Sequence, residues 1–177
     1  FAASARYAAP PGKDLTPSFK RGISIGHWMA KMRSGQPYGD PWFGREDLVW
    51  IAQQGFDHVR LPVDGRLWLL ADGSLDEAKI TRFLEAVTWA RELGMAAVLD
   101  MHFLPGGAAA YDANTQDEAI FTDDKARANA AAFWGRVARR LASEGAWLRF
   151  EAINEPMAPR AAQLTALVGH APYTVKP

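Results

Sequence analysis

The sequence predicts an α/β fold with a parallel sheet, a (β/α) barrel of the TIM type with about four βα units present, a half-barrel. Three observations carry this. Strand-like and helix-like segments alternate as strand, helix, strand, helix, strand, helix, strand. One strand, "MAAVLDMHFLPGG", is almost continuously apolar, as expected of a strand whose faces are both covered. Polar residues gather at the C-terminal ends of several strands: His27, Arg60, His102, Asn154 and Glu155. Barrel enzymes build their sites at those ends. The alternation also allows an open doubly wound sheet. However, "GISIGHW" lacks the G-x-G-x-x-G turn and no P-loop occurs, which disfavours nucleotide-binding folds.

Each element has a local reason. "RGISIGHW" sets β-branched residues between glycines and reads as a short buried strand. "SGQPYGDPWFG" is dense in Gly, Pro and aromatics and reads as a loop. "REDLVWIAQQG" spaces Leu48, Ile51 and Ala52 for a helix that Gly55 stops. "FDHVRLPVD" is the second strand, with Pro62 marking its end. In "GSLDEAKITRFLEAVTWARELG", Ser74 and Glu77 make a capping-box pattern. Ile80, Phe83, Leu84 and Val87 then line one face, and Gly94 closes the helix. Residues 106–122 are polar and long enough for a functional loop. "DDKARANAAAFWGRVARRLASEG" is the next helix, with Ala130, Phe133, Val137 and Leu141 inward. "AWLRFEAINEP" is the fourth strand. Residues 1–19 form a lead segment, 20–159 the half-barrel, and 160–177 a helix start and tail.

Composition narrows the function classes. Lys plus Arg balance Asp plus Glu at 20 each, without a basic stripe, which argues against a nucleic-acid surface. No cysteine is present, so disulfides and thiolate chemistry are excluded. No uncharged apolar run approaches the roughly 20 residues of a membrane span. The first residue is Phe1 rather than Met, as a removed secretory signal would leave it, so a secreted or periplasmic location is expected.

Glu155 at a strand end would face a cleft, where desolvation and a neighbouring carboxylate raise a Glu pKa and make an acid near neutral pH. Asn154 offers an amide to a substrate hydroxyl, and Pro156 fixes the turn. Most isolated charged residues are simply solvated, so the triplet alone is weak. Arg60 either orients a carboxylate or makes a structural ion pair. Asp100 and His102 share a strand face and could ligate a metal with Glu155, but a hydrogen-bonding role is favoured. His58 shares the face of Arg60, deeper in, and reads as a core histidine. Trp28, Tyr38, Trp42, Phe43, Trp68 and Tyr111 lie in or beside loops after strand ends. There they could stack on sugar rings or pack the loops.

Taken together and in order, "RGISIGHW", "GFDHVRLPVD", "VLDMHFLPG" and "FEAINEP" resemble glycoside hydrolase family 5, the cellulase-like retaining glycosidases. The resemblance runs from Lys20 to Pro159. It implies hydrolysis of β-linked glucans or mannans without metal or organic cofactor. Carried over by position, Glu155 would be the general acid/base and Asn154 would bond the substrate 2-hydroxyl. Arg60 would hold the nucleophile carboxylate, and His102 would line the site. His27, Trp28 and Trp42 would contact substrate. A full barrel needs about 250 residues and eight strands. The nucleophile would stand on the seventh, which these 177 residues do not reach. A half-barrel exposes sheet edges, so a second copy or a complementary C-terminal half is the expected partner. In a symmetric dimer, Asp100 or His102 of the other copy would occupy the nucleophile's place.

Overall fold

The computed structural model describes residues 16–30, 38–39, 43–105, 120 and 123–154. Glu155, Trp42, Tyr111, most of the 106–122 loop and the 160–177 tail lie outside the described residues. The elements are β1 (Gly22–Ser24), α1 (Arg45–Gln53), β2 (His58–Asp64), α2 (Gly65–Trp68), α3 (Glu77–Glu92), β3 (Ala96–Phe103), α4 (Asp124–Arg140), a 3-10 segment (Ala142–Trp147) and β4 (Leu148–Glu151). All strand pairs are parallel, and the spatial order is β1-β2-β3-β4. This sequential order separates barrel from doubly wound sheet. A doubly wound sheet reverses direction at a switch point, whereas right-handed crossovers between successive neighbours put every helix on one face.

Register assigns the faces. Ser24 lies beside Arg60, Arg60 beside Val98, Pro62 beside Asp100, and Asp100 beside Glu151. The alternate positions Val59, Leu61, Val63, Leu99, Met101 and Leu148 are buried in the apolar core with Phe83, Val87, Phe133 and Val137 of the helices. One face of the sheet is thus an apolar seat for helices, and the other carries Arg60, Asp100 and Glu151.

Local expectations held in part. Helices α1 and α3 are followed by Gly55 and Gly94 at φ 80 and 73, left-handed positions that glycine adopts without Cβ strain. Ile80, Phe83 and Val87 are buried, as are Ala130, Phe133, Val137 and Leu141. The start of α3 differs. Asp76 is its N-cap, accepting from the Lys79 backbone N–H at 3.1 Å, while Ser74 bonds Asp72 in the preceding turn. A carboxylate at the cap satisfies an orphan N–H and meets the positive helix end, which displaces the Ser74 and Glu77 box. The fourth strand is also shorter than "AWLRFEAINEP". Ala146 and Trp147 belong to the 3-10 segment, which kinks at Gly145 (φ 56), and pairing with β3 ends at Glu151. Asn154 sits on a bend beyond it.

At the N-terminal end of the sheet, Asp57 gathers four donors. Ser18 Oγ donates at 2.7 Å, the Lys20 and Arg21 backbone N–H groups at 3.0 Å each, and His58 Nδ1 at 2.7 Å. Phe19 stacks on His58 with centroids 5.3 Å apart, so residues 18–21 are strapped to the entrance of β2. The ring of His58 lies over Gly22, where a Cβ would come within 2.0 Å of Nε2, which is why the β1 entrance carries glycine. His58, expected in the core, is therefore a half-buried member of this clamp. Burial works against the Asp57 charge, but the bonds from His58, Arg21, Ser18 and Lys20 outweigh it and hold the carboxyl well below the usual range.

Asp57→Ala is expected to cost about 2 kcal/mol at pH 7, by urea denaturation. Because the folded-state pKa is depressed, the contribution is complete above the ordinary carboxylate value of about 4. It fades as pH falls below that toward the folded value, so the gap between wild type and variant should narrow at pH 3. A gap that widens on acidification would contradict this account.

Gly65, the first residue of α2, is fixed by space. A Cβ there would lie 2.6 Å from Met101 Sδ, 2.8 Å from the Phe103 backbone carbonyl and 3.1 Å from the Phe133 ring. The carbonyl belongs to β3 and cannot rotate away. Gly65→Ala is expected to destabilise by about 1–3 kcal/mol, measured as a lowered denaturation midpoint at unchanged m-value.

Candidate active site

The second strand brings Arg60 to the inner face of the sheet with Val59 and Leu61 turned to the helices. Its guanidinium closes bidentately on Glu151 at the end of β4, with Nε to Oε2 and Nη2 to Oε1 both at 2.7 Å. Nη2 also donates to Asn154 Oδ1 at 2.9 Å and lies 3.0 Å from Asp100 Oδ2. Ser24 on β1 is at the limit of hydrogen-bond reach, 3.5 Å from Nη1. One planar donor fork thus connects strand ends from β2, β3 and β4. Guanidinium suits this because its donors are fixed in a plane and it stays charged.

Asp100 is fully buried, and its Oδ2 is shared between Arg60 and His102 Nδ1, the latter at 2.9 Å. Spacing two apart on one strand puts both on the inner face, as the sequence implied. Its Oδ1 is buried without a hydrogen-bond partner among the described residues. At the C-terminal end of β2, Asp64 is nearly buried and grips Arg66 through Nε at 2.9 Å and Nη2 at 2.7 Å. The Arg66 guanidinium in turn covers the Phe103 ring at 4.3 Å.

Arg60 therefore joins Asn154 directly and His102 through Asp100. His27 is not part of that contact network: it is exposed on the turn after β1, in the left-handed region at φ 64. Histidine enters that region more readily than bulky or branched residues do. The aromatic platforms need correction. Trp28 is fully buried, edge-on to Phe43 at 5.2 Å with Arg82 of α3 over its ring at 5.3 Å, so it packs the helix side and offers no face to a ligand. Phe43 and Trp68 are also core residues, and Tyr38 accepts the Trp68 indole N–H. Burial pushes the Tyr38 hydroxyl pKa up, so it remains protonated. The reason is area: a ring of this size gains more by closing the apolar space between sheet and helices than by facing water.

Glu151 is the site residue that sequence reasoning missed. The signal was available: an inner-face Arg requires an anion, and Glu151 has the parity of Asp100's neighbour on the next strand.

With this geometry described, comparison with known proteins gives a consistent result. Residues 27–171 match the family Cellulase (glycosyl hydrolase family 5). Endoglucanase C of Acetivibrio thermocellus is 31% identical over 149 residues, covering 80% of this chain and 41% of that protein. Cellodextrinase A of Ruminococcus flavefaciens is 30% identical over 135 residues, covering 76% and 40%. Among solved structures, a broad-specificity GH5-4 endoglucanase from Bacteroides salanitronis aligns with TM-score 0.62 at 25% identity, covering 89% of this chain and 44% of that one. A glycoside hydrolase structure aligns with TM-score 0.66 at 20% identity over 84% and 47%. The chain thus spans about 40% of the length of the curated relatives it matches. Its four-stranded parallel sheet and helices are part of the α/β barrel of those structures. This chain belongs to glycosyl hydrolase family 5.

Proposed function

We propose that the chain carries the acid/base portion of a β-glucan hydrolase that works by the retaining two-carboxylate mechanism, with Glu155 as general acid/base. The observation that supports this reading is Asn154, buried on the bend after β4 with its Oδ1 held by Arg60 at 2.9 Å, one residue before Glu155. With the oxygen committed to Arg60, the amide NH₂ is the end left to donate to a sugar 2-hydroxyl. His102 lines the same cleft, and His27 and Trp42 supply further sugar contacts. Arg60, its fork closed on Glu151, orients the acid/base side of the site.

Retaining hydrolysis requires a second carboxylate about 5 Å from the acid. Among the described residues, the inner-face carboxylates at strand ends are Asp100 and Glu151, and both are engaged by Arg60. The family resemblance sets the second carboxylate on a seventh strand, so this reading assigns it to a second copy or a complementary C-terminal half. No metal or organic cofactor enters this chemistry. A polymeric glucan is met outside the cytoplasm, so the same reading places the protein in a secreted or periplasmic setting.

The engagement of those carboxylates also favours a second reading, a carbohydrate-binding half-barrel without turnover. Hydrolysis of barley β-glucan and carboxymethylcellulose, measured for wild type and Glu155→Gln, separates the two. Turnover abolished by the substitution supports the acid/base role. Turnover indifferent to it overturns that role, and β-glucan binding without turnover in a preparation that includes the complementary half selects the second reading.

A further inference from the structure

We infer that Asp100 is a positioning residue that fixes the tautomer of His102, so that His102 presents Nε2 as a hydrogen-bond acceptor to a sugar hydroxyl. The inference deepens the proposed function and rests on it for the identity of the ligand. Its own basis is geometric. Asp100 is fully buried, and its Oδ2 stands 2.9 Å from His102 Nδ1 and 3.0 Å from Arg60 Nη2. Arg60 is always protonated, and its bonds to Glu151 and Asn154 anchor it from the far side. An ionised carboxylate only accepts, so the hydrogen in the 2.9 Å contact belongs to Nδ1.

In the neutral ring that leaves Nε2 with a lone pair, on the side away from Asp100. The ring is held as well as polarised. The side chain of His102 is only 15% exposed, and its ring meets Phe103 edge-on with centroids 5.1 Å apart. A structural ion pair would need only Arg60 and Asp100. The shared oxygen gives the Arg60 cluster a second output, the orientation and proton placement of His102.

The consequence is specific to proton position. The substitution Asp100→Leu keeps the approximate size of the side chain and removes the oxygen that accepts from Nδ1. Asparagine would not serve, because its amide oxygen in the place of Oδ2 would still accept from both Arg60 and Nδ1. Without that acceptor the neutral imidazole returns to its intrinsically preferred Nε2–H form, and the acceptor becomes a donor.

The test is the long-range ¹H–¹⁵N correlation pattern of His102, in the full chain on the alkaline plateau of its titration. The signal is assigned by its loss in His102→Gln. The expected result is an Nδ1–H tautomer in wild type and an Nε2–H tautomer in Asp100→Leu. Wild type carrying Nε2–H overturns the inference by itself, even if the variant fails to fold. An Asp100→Leu chain that folds and keeps the wild-type pattern overturns it too. The readout needs neither sugar nor turnover, so its failure is distinct from failure of the Glu155 assignment.

Discussion

Arg60→Leu is expected to destabilise the chain by about 3–5 kcal/mol, the range for leaving a buried charge without its partner. Asp100 is 0% exposed and already has one oxygen without a hydrogen-bond partner among the described residues, so losing Arg60 leaves it, among those residues, with His102. Glu151, with 35% of its side chain exposed, can turn to water and suffers less. Leucine keeps most of the apolar stem, which separates the loss of charge from the loss of packing. Ser24→Ala is the control. Its hydroxyl is 3.5 Å from Nη1, and the change should stay within about 0.5 kcal/mol. Urea denaturation of the two variants decides the matter: Arg60→Leu as stable as Ser24→Ala would sink the claim that the inner-face carboxylates depend on this arginine.

The second large effect is on activity. In any preparation that hydrolyses β-glucan, Glu155→Gln is expected to lower kcat about 10²–10⁴-fold, the usual contribution of a positioned general acid/base. Glutamine has the shape of glutamate but no proton to give, so binding should be conserved and the loss should fall on kcat. Stability should change by no more than about 0.5 kcal/mol, unlike Arg60→Leu. That contrast separates a residue that performs chemistry from one that holds the site together. A variant whose kcat is unchanged would remove Glu155 from the mechanism.

The fold was legible because its signals are local and periodic. Ile80, Phe83 and Val87 repeat at helical spacing and are buried together, and Gly55 and Gly94 stand at left-handed positions that end helices. The misjudged boundaries were set by competition. Asp76 is the better cap because it brings charge to the helix end, and β4 stops at Glu151 because its pairing with β3 stops at Asp100. For Trp28 and Trp68 the sequence left stacking on sugar or packing open, and both are buried in the core. Adjacency to a loop says nothing of which side of the sheet a ring falls on, and that depends on helices arriving from elsewhere in the chain.

By itself the sequence determined the alternation of elements, the parallel sheet and the identities of Arg60, His102, Asn154 and Glu155 as site candidates, since spacing and strand-end position are written in one dimension. Only the tertiary structure decided who holds whom. The fork of Arg60 reaches Glu151 and Asn154 from 91 and 94 residues away, and Asp100 divides one oxygen between Arg60 and His102. Such pairings depend on strand register and on which buried charge lacks water, and neither is a property of any short stretch of chain.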